Sequence, residues 1–506
     1  MAETSPGVTR GREWASEWAL IFASAPPKAC TTAWGWRHFK CGAIMRFLAA
    51  LAKWLLVAVV VTVIGIAAWL YFAPPAMIRV ATGYSAKIVC SNVFVANRDA
   101  DEVLEVDVQA PGHPILTLVS VEVDRSARTV TAGLLGLFGR STAVARDGLG
   151  CASVPDGGVD AAAAISLPDK PDEARADAPW PAGERVEPSA APAIDAILDN
   201  PEMTGPGMRA VVVVHDGRII GERYGPGFSA ETPLLGWSMT KTVTSAIVGT
   251  LVREGKLRVE QTSLFEEWSV DRRDEISLAD LMSMSSGLEF NEDYGDVTDV
   301  TRMLYLEPGM AGFAASKPLV HGIGDVFSYS SGTSVMVARI WQNAFDDDAA
   351  ALDWPRRALF QPLGMLSAVM EADARGTFVG SSYVYATARD WARFGQFLLQ
   401  DGVWNGQPLL PEGYVAWMRD AAPAAGGEYG RGQLWLHGPT AGTPRGEDPD
   451  AGFDLPADAF WMLGHDGQTI VVVPSKDLVV VRLGLTPSRL RYKPQAMAAA
   501  LAAAVE

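Results

Sequence analysis

Ser238-Met239-Thr240-Lys241 follows Gly236-Trp237 and opens the best-patterned helix of the chain, Thr240 to Glu254. At a helix start, positions i and i+3 share a face, so the Lys241 amine can reach the Ser238 hydroxyl. The positive N-terminal end of a helix disfavours a charged lysine and favours an oxyanion beside it. A lysine held neutral in this way can take the serine proton, which is the activation a serine nucleophile needs. Of the ten lysines, only Lys241 has a serine three residues before it. The competing structural explanation is an N-cap serine followed by a solvated lysine.

Two further stretches change that balance. Phe327-Ser328-Tyr329-Ser330-Ser331-Gly332 precedes a helix beginning near Thr333, and Gly464-His465-Asp466-Gly467-Gln468 leads into a strand starting at Thr469. Ser-x-x-Lys, then Tyr-x-Ser about 90 residues on, then His-x-Gly before the last hairpin is a specific order. In this order the chain resembles the serine hydrolases of the β-lactamase and penicillin-binding protein superfamily. It is more similar to the class C-like branch, which includes family VIII carboxylesterases and 6-aminohexanoate-dimer hydrolases. Leu281 to Leu288 and Leu359 to Met365 resemble connecting segments of that branch, and the likeness covers roughly residues 194–500.

The resemblance implies an acyl-enzyme hydrolase of amides or esters that uses no metal or organic cofactor. It makes Ser238 the nucleophile, Lys241 its base and Tyr329 the group that relays a proton to the leaving group. The backbone N–H groups of Ser238 and Gln468 then form the oxyanion hole, which requires donors fixed where the tetrahedral oxygen develops. Tyr294 resembles a substrate-side tyrosine of the aminohexanoate-dimer hydrolases, and Ser331, His465 and Gly467 fall on substrate-binding positions. Two departures stand out: the asparagine usual after the tyrosine is Ser331, and the lysine usual in the third motif is His465. A histidine offers a substrate carboxylate less charge at neutral pH than a lysine does, so both changes weaken a β-lactamase reading. The rival from another class is a catalytically silent penicillin-binding-like sensor or envelope-binding protein. A Ser-His-Asp hydrolase finds no G-x-S-x-G elbow, no H-E-x-x-H occurs, and His215, His321 and His437 have no motif context.

The elements that must hold these residues are legible in outline. Met208 to Val214, the turn His215-Asp216-Gly217 and Arg218 to Tyr224 make a hairpin. Thr469 to Val473, Pro474-Ser475-Lys476-Asp477 and Leu478 to Leu483 make a second. Both are nearly continuously apolar, as in a sheet covered on both faces. Helical patterns lie between them: Thr240 to Glu254, Leu278 to Met284, Thr333 to Phe345 and Ala388 to Leu399. The expected fold is therefore α/β (α+β), β-lactamase/transpeptidase-like, an antiparallel sheet closed by both ends of the domain, flanked by helices and carrying a helical subdomain. This serine hydrolase domain is assigned to 194–506.

Residues 1–53 hold seven basic and three acidic residues, and the rest holds 35 against 56. A body so acidic is repelled by phosphate backbones, which argues against a nucleic-acid partner. Residues 54–72 carry no charge, follow Arg46 and Lys53, and end at Pro74-Pro75. That length crosses a bilayer as a helix, and the positive-inside rule puts 1–53 in the cytoplasm and the remainder outside. The rival is a cleaved signal peptide, against which the length and the two prolines argue. Met45 is also a natural start, which would make 1–44 a misassigned extension. Cys30 and Cys41 precede the span and would be reduced, whereas Cys90 and Cys151 are the only two beyond it, so an oxidising compartment favours a disulfide over two buried thiols. Residues 77–152 read as a small β-rich segment with strands at Ile115 to Val123 and Thr129 to Leu135, and 153–193 as a Pro/Ala-rich linker or irregular wrap.

Overall fold

A computed structural model of the chain describes residues 37–167, 177–187, 191–444 and 446–505. The chain divides into two compact units, one ending at Ala68 and one running from Trp69 to the C-terminus. The described part of the first belongs to helix α1 (Arg37–Phe72), whose last turn falls in the second unit and within which Ile44–Phe72 is long and apolar enough to cross a membrane. The uncharged stretch 54–72 is thus the C-terminal part of a longer helix. Cys30 and most of the suggested 1–44 extension lie outside the described residues.

Pro75 caps helix α2 (Ala76–Phe94) in the second unit. The segment expected to be β-rich, 77–152, opens with this helix and carries its strands after it. Fourteen of the 19 residues of α2 are buried, so its apolar residues surround the axis and leave no single-face period to read. Ile115 to Leu118, expected to begin a strand, belong instead to a turn of 3-10 helix, Pro114–Leu118, opening with a proline. After them come four antiparallel strands in sequential order, β1 (Val119–Asp124), β2 (Thr129–Leu134), β3 (Phe138–Arg146) and β4 (Gly150–Ser153). The Asp124 carboxylate accepts from the Ser126 and Ala127 N–H groups and fixes the first turn. Cys90 on α2 is bonded to Cys151 on β4, tying the helix to this sheet. Farther along, Trp180 is buried, and Arg393 donates to the carbonyls of Pro181 and Gly183.

The principal sheet joins both ends of the remaining chain. Strands β5 (Met208–His215) and β6 (Arg218–Tyr224) form the first hairpin around Asp216 and Gly217, both left-handed. Next in sequence are the helices α3 (Thr240–Arg253), α4 (Leu278–Met282), α5 (Asp299–Leu306), α6 (Ser331–Gln342) and α7 (Ala388–Leu399). Strands β7 (Phe460–Gly464), β8 (Gln468–Val473) and β9 (Leu478–Gly484) and helix α8 (Gln495–Ala504) end the chain. The order is β7-β8-β9-β5-β6, antiparallel throughout, with Val480 opposite Val213 where the late strands meet the early ones. Alternate residues serve opposite faces. Val212, Ile470 and Val479 pack with Phe394 of α7, while Val211, Val471 and Val480 pack with Met497 and Leu501 of α8. Both faces are therefore dry, which accounts for the unbroken apolar runs.

Candidate active site

The chain reaches Ser238 through a short strand, Leu234–Leu235, paired with Val384–Ala386. Gly236 donates to the Val384 carbonyl, and the Thr240 hydroxyl accepts from the Val384 N–H, so both sides of the turn are held by one strand. Trp237 sits at φ +49, a left-handed conformation that is costly for a bulky side chain. The chain turns sharply there and enters a 3-10 turn, Trp237–Met239, that runs into α3. A Cβ at Gly464 would lie 2.2 Å from the Gly236 carbonyl oxygen, so only glycine lets the β7–β8 turn come this close to the serine.

Lys241 is about 1% exposed. Its Nζ lies 3.1 Å from each of three oxygens: Ser238 Oγ, Ser331 Oγ and the Ser381 carbonyl. Burial lowers its pKa to about 8, with the Glu292 carboxylate pulling the other way. Glu292 accepts from the Ser331 backbone N–H at 2.7 Å and from the Ser331 hydroxyl. Since the Ser331 hydrogen goes to Glu292, its oxygen can only accept from Lys241. A neutral lysine has two N–H bonds and one lone pair. With the two bonds directed at Ser331 Oγ and the Ser381 carbonyl, the lone pair is left for the Ser238 hydroxyl.

Tyr329 completes the group. Its phenol interacts with the Ser238 side chain, and its ring centroid is 4.7 Å from Lys241 Nζ. Burial pushes this phenol above its ordinary range, so it stays protonated at neutral pH. The loop that carries it is tied by Ser328 N–H to the Met284 carbonyl, and its ring packs at 5.4 Å from Trp435. Ser330 caps α6 by accepting from Thr333 N–H, which sets Ser331 as the first residue of the helix.

The remaining predicted residues form a rim. Tyr294 is 39% exposed and its hydroxyl is 3.5 Å from Ser331 Oγ. His465 is about half exposed, its ring 5.5 Å from those of both Trp237 and Tyr294. Asp466 and Gly467 turn the chain with positive φ into Gln468, the first residue of β8. The Gln468 side chain is engaged with the His465 and Gly484 carbonyls and the Gly484 N–H, which fixes the backbone of the turn. Among the described residues, no group of three or more His, Cys, Asp or Glu side chains is disposed to hold a metal.

A family model described as Beta-lactamase matches residues 200–504, three fifths of the chain. The chain belongs to the beta-lactamase family. All of the site residues above fall within that family match, whereas α1, α2, β1 to β4 and the disulfide lie before it. Of curated proteins, the chain is similar to a 6-aminohexanoate-dimer hydrolase of Paenarthrobacter ureafaciens, 24% identical over 306 residues, covering 55% of this chain and 72% of that one. Among solved structures it is similar to a protein described as a 6-aminohexanoate-dimer hydrolase from Bacillus anthracis, at 25% identity and TM-score 0.47, covering 56% of this chain and 76% of that one. Another is EstCE1, a hydrolase with promiscuous acyltransferase activity, at 15% identity and TM-score 0.47, covering 61% and 98%.

Three residues of the site escaped the sequence reading. Glu292 stands two positions before Tyr294 in a stretch singled out for the tyrosine alone. Ser381 contributes a backbone carbonyl, for which no side-chain signal exists. Trp237 was noted only as a neighbour, and its left-handed backbone is visible only in three dimensions.

Proposed function

We propose that this chain is a membrane-anchored serine hydrolase that cleaves an amide or ester through an acyl-enzyme on Ser238. The observation that carries the reading is the three-way coordination of Lys241, which leaves its lone pair aimed at Ser238 Oγ. Lys241 takes the hydroxyl proton as Oγ bonds to the substrate carbonyl carbon. The N–H groups of Ser238 and Gln468 receive the developing oxyanion. Tyr329 passes a proton to the leaving alcohol or amine as its bond to carbon breaks, and takes a proton back from Lys241. Water then attacks the Ser238 ester, Lys241 removes its proton and returns it to Ser238 Oγ as the Oγ–carbon bond breaks, and the acid departs. The apolar span is the anchor, with the domain after it outside the cytoplasm.

Labelling of the full-length protein by a fluorophosphonate tests this reading directly: covalent modification at Ser238 is the expected result. A folded protein that leaves the reagent untouched would instead fit a silent binding protein. The rim refines the substrate. His465 and Ser331 stand where penicillin-recognising relatives carry a lysine and an asparagine, so small aryl or short-chain esters should be turned over with higher kcat/KM than a chromogenic cephalosporin. The reverse order would show that His465 does the lysine's work.

A further inference from the structure

Two cavities share His465 and Asp466 of the turn before β8, and Trp237, the residue before the nucleophile, lines one of them. One, of about 300 Å³, is lined by Trp435 and by the far side of that turn. Tyr329 packs on Trp435, so the leaving group that Tyr329 serves departs toward this side. The other cavity, of about 370 Å³, contains Trp237, Tyr294 and His465 in its wall. Its opposite wall comes from outside the beta-lactamase match: Met77 and Tyr84 of α2 and Ile115 of the turn before β1.

We propose that the segment following α1 builds an acyl-chain subsite for the reaction at Ser238, which makes the substrate an ester or amide of a medium-length, uncharged acyl group. This rests on the acyl-enzyme reading above and specifies its substrate class. Three features support it. The volume lies in the range that accommodates a small ligand, and the lining is mostly apolar. The wall is rigid, because α2 is buried along most of its length, carries the Cys90–Cys151 bond and packs Tyr84 edge-on against Tyr305 at 5.6 Å. The charged groups on the cavity are the carboxylates of Asp296 and Asp466, which oppose a chain ending in a carboxylate. With the leaving group on the Trp435 side, the acyl carbon bonded to Ser238 Oγ projects its chain past Trp237 into this space.

The experiment uses the full-length protein in lipid nanodiscs with p-nitrophenyl esters from acetate to octanoate, and with the octanoate analogue ending in a carboxylate. Each fully buried methylene is worth about fourfold in kcat/KM. Octanoate should therefore exceed acetate at least tenfold, and the carboxylate-ended ester should fall back toward acetate. Ile115→Trp and Met77→Trp, both at half-buried positions, should lower the octanoate-to-acetate ratio at least fivefold. Fluorophosphonate labelling of Ser238 is run on every sample. Labelling with a flat chain-length series, or with a ratio that neither tryptophan changes, overturns the subsite and leaves the hydrolase reading standing. A wild-type protein that neither labels nor turns over any ester removes both. The wild-type series decides the matter even if one variant does not fold.

Discussion

Lys87 and Lys241 are both about 1% exposed, and burial lowers the pKa of both, yet the two regions around them are built for different ends. Lys87, on α2, is in direct contact with the buried Glu371 carboxylate, which also accepts from the Ser91 hydroxyl and the Cys151 N–H. Its ammonium lies 3.8 Å from the centre of the Tyr383 ring. That is a closed ion pair: each charge has its counter-charge, and no lone pair is on offer. Around Lys241 the nearest carboxylate, Glu292, is held one hydroxyl away by Ser331. The separation weakens the pull of Glu292, so that burial brings the Lys241 pKa down to about 8. A carboxylate in direct contact would hold the proton on the lysine, whereas one behind a serine still orients the amine without claiming its charge.

The largest effect separates the two regions by function. Ser238→Ala should lower kcat/KM by about 10⁴ or more and abolish fluorophosphonate labelling, with the melting temperature unchanged within a few degrees. Labelling that persists at another serine would move the chemistry away from Lys241 and dissolve the contrast.

Next in size is the structural pair. Lys87→Met leaves the Glu371 carboxylate buried without its counter-charge, and removal of one partner of a buried pair costs about 3–5 kcal/mol. Thermal unfolding should show that loss, and the double variant Lys87→Met, Glu371→Met should recover most of it. A single variant that melts like the parent would mean that α2 is held by the Cys90–Cys151 bond and its apolar packing, not by the ion pair.

The two lysines also mark what the sequence could reveal. Ser238 and Lys241 are three positions apart, one in the 3-10 turn that runs into α3 and one in the first turn of α3, so local geometry exposes their partnership. Lys87 and Glu371 are 284 positions apart, and nothing local to either signals the other. The same division runs through the fold. The hairpin at His215 to Gly217 and helix α7 are readable because turn chemistry and one-sided periodicity are local properties. Helix α2 is not, because its apolar residues are spread around the axis with no polar face opposite them, which leaves no period by which a helix is recognised. In the site, Tyr329 and His465 were reachable through the order of short motifs. Glu292 and the Ser381 carbonyl matter only through where the tertiary fold sets them relative to Lys241.

A smaller effect tests the protonation state itself. If neutral Lys241 is the base, its fraction falls tenfold for each pH unit below its pKa of about 8. The kcat/KM of an ester should rise with pH and level off near that value, and Lys87→Met should leave the inflection in place. A profile flat from pH 6 to 9 would show that Lys241 is not the titrating base.

The smallest effect addresses the intervening serine. The Glu292 carboxylate raises the Lys241 pKa against the lowering by burial. Glu292→Gln keeps an oxygen to accept from Ser331 but removes the negative charge. The ammonium of Lys241 then loses its stabilising partner, its pKa falls further, and the inflection of kcat/KM moves to lower pH. At pH 7 a larger fraction of Lys241 is neutral, so the loss in rate from disturbing Ser331 is partly offset there, and the variant compares best with the parent in acid. The Lys87 region offers no such adjustment, because its carboxylate touches the ammonium directly. An inflection that stays put, or moves upward, would show that the charge of Glu292 does not reach Lys241 through Ser331. The difference between the two buried lysines would then rest on desolvation alone.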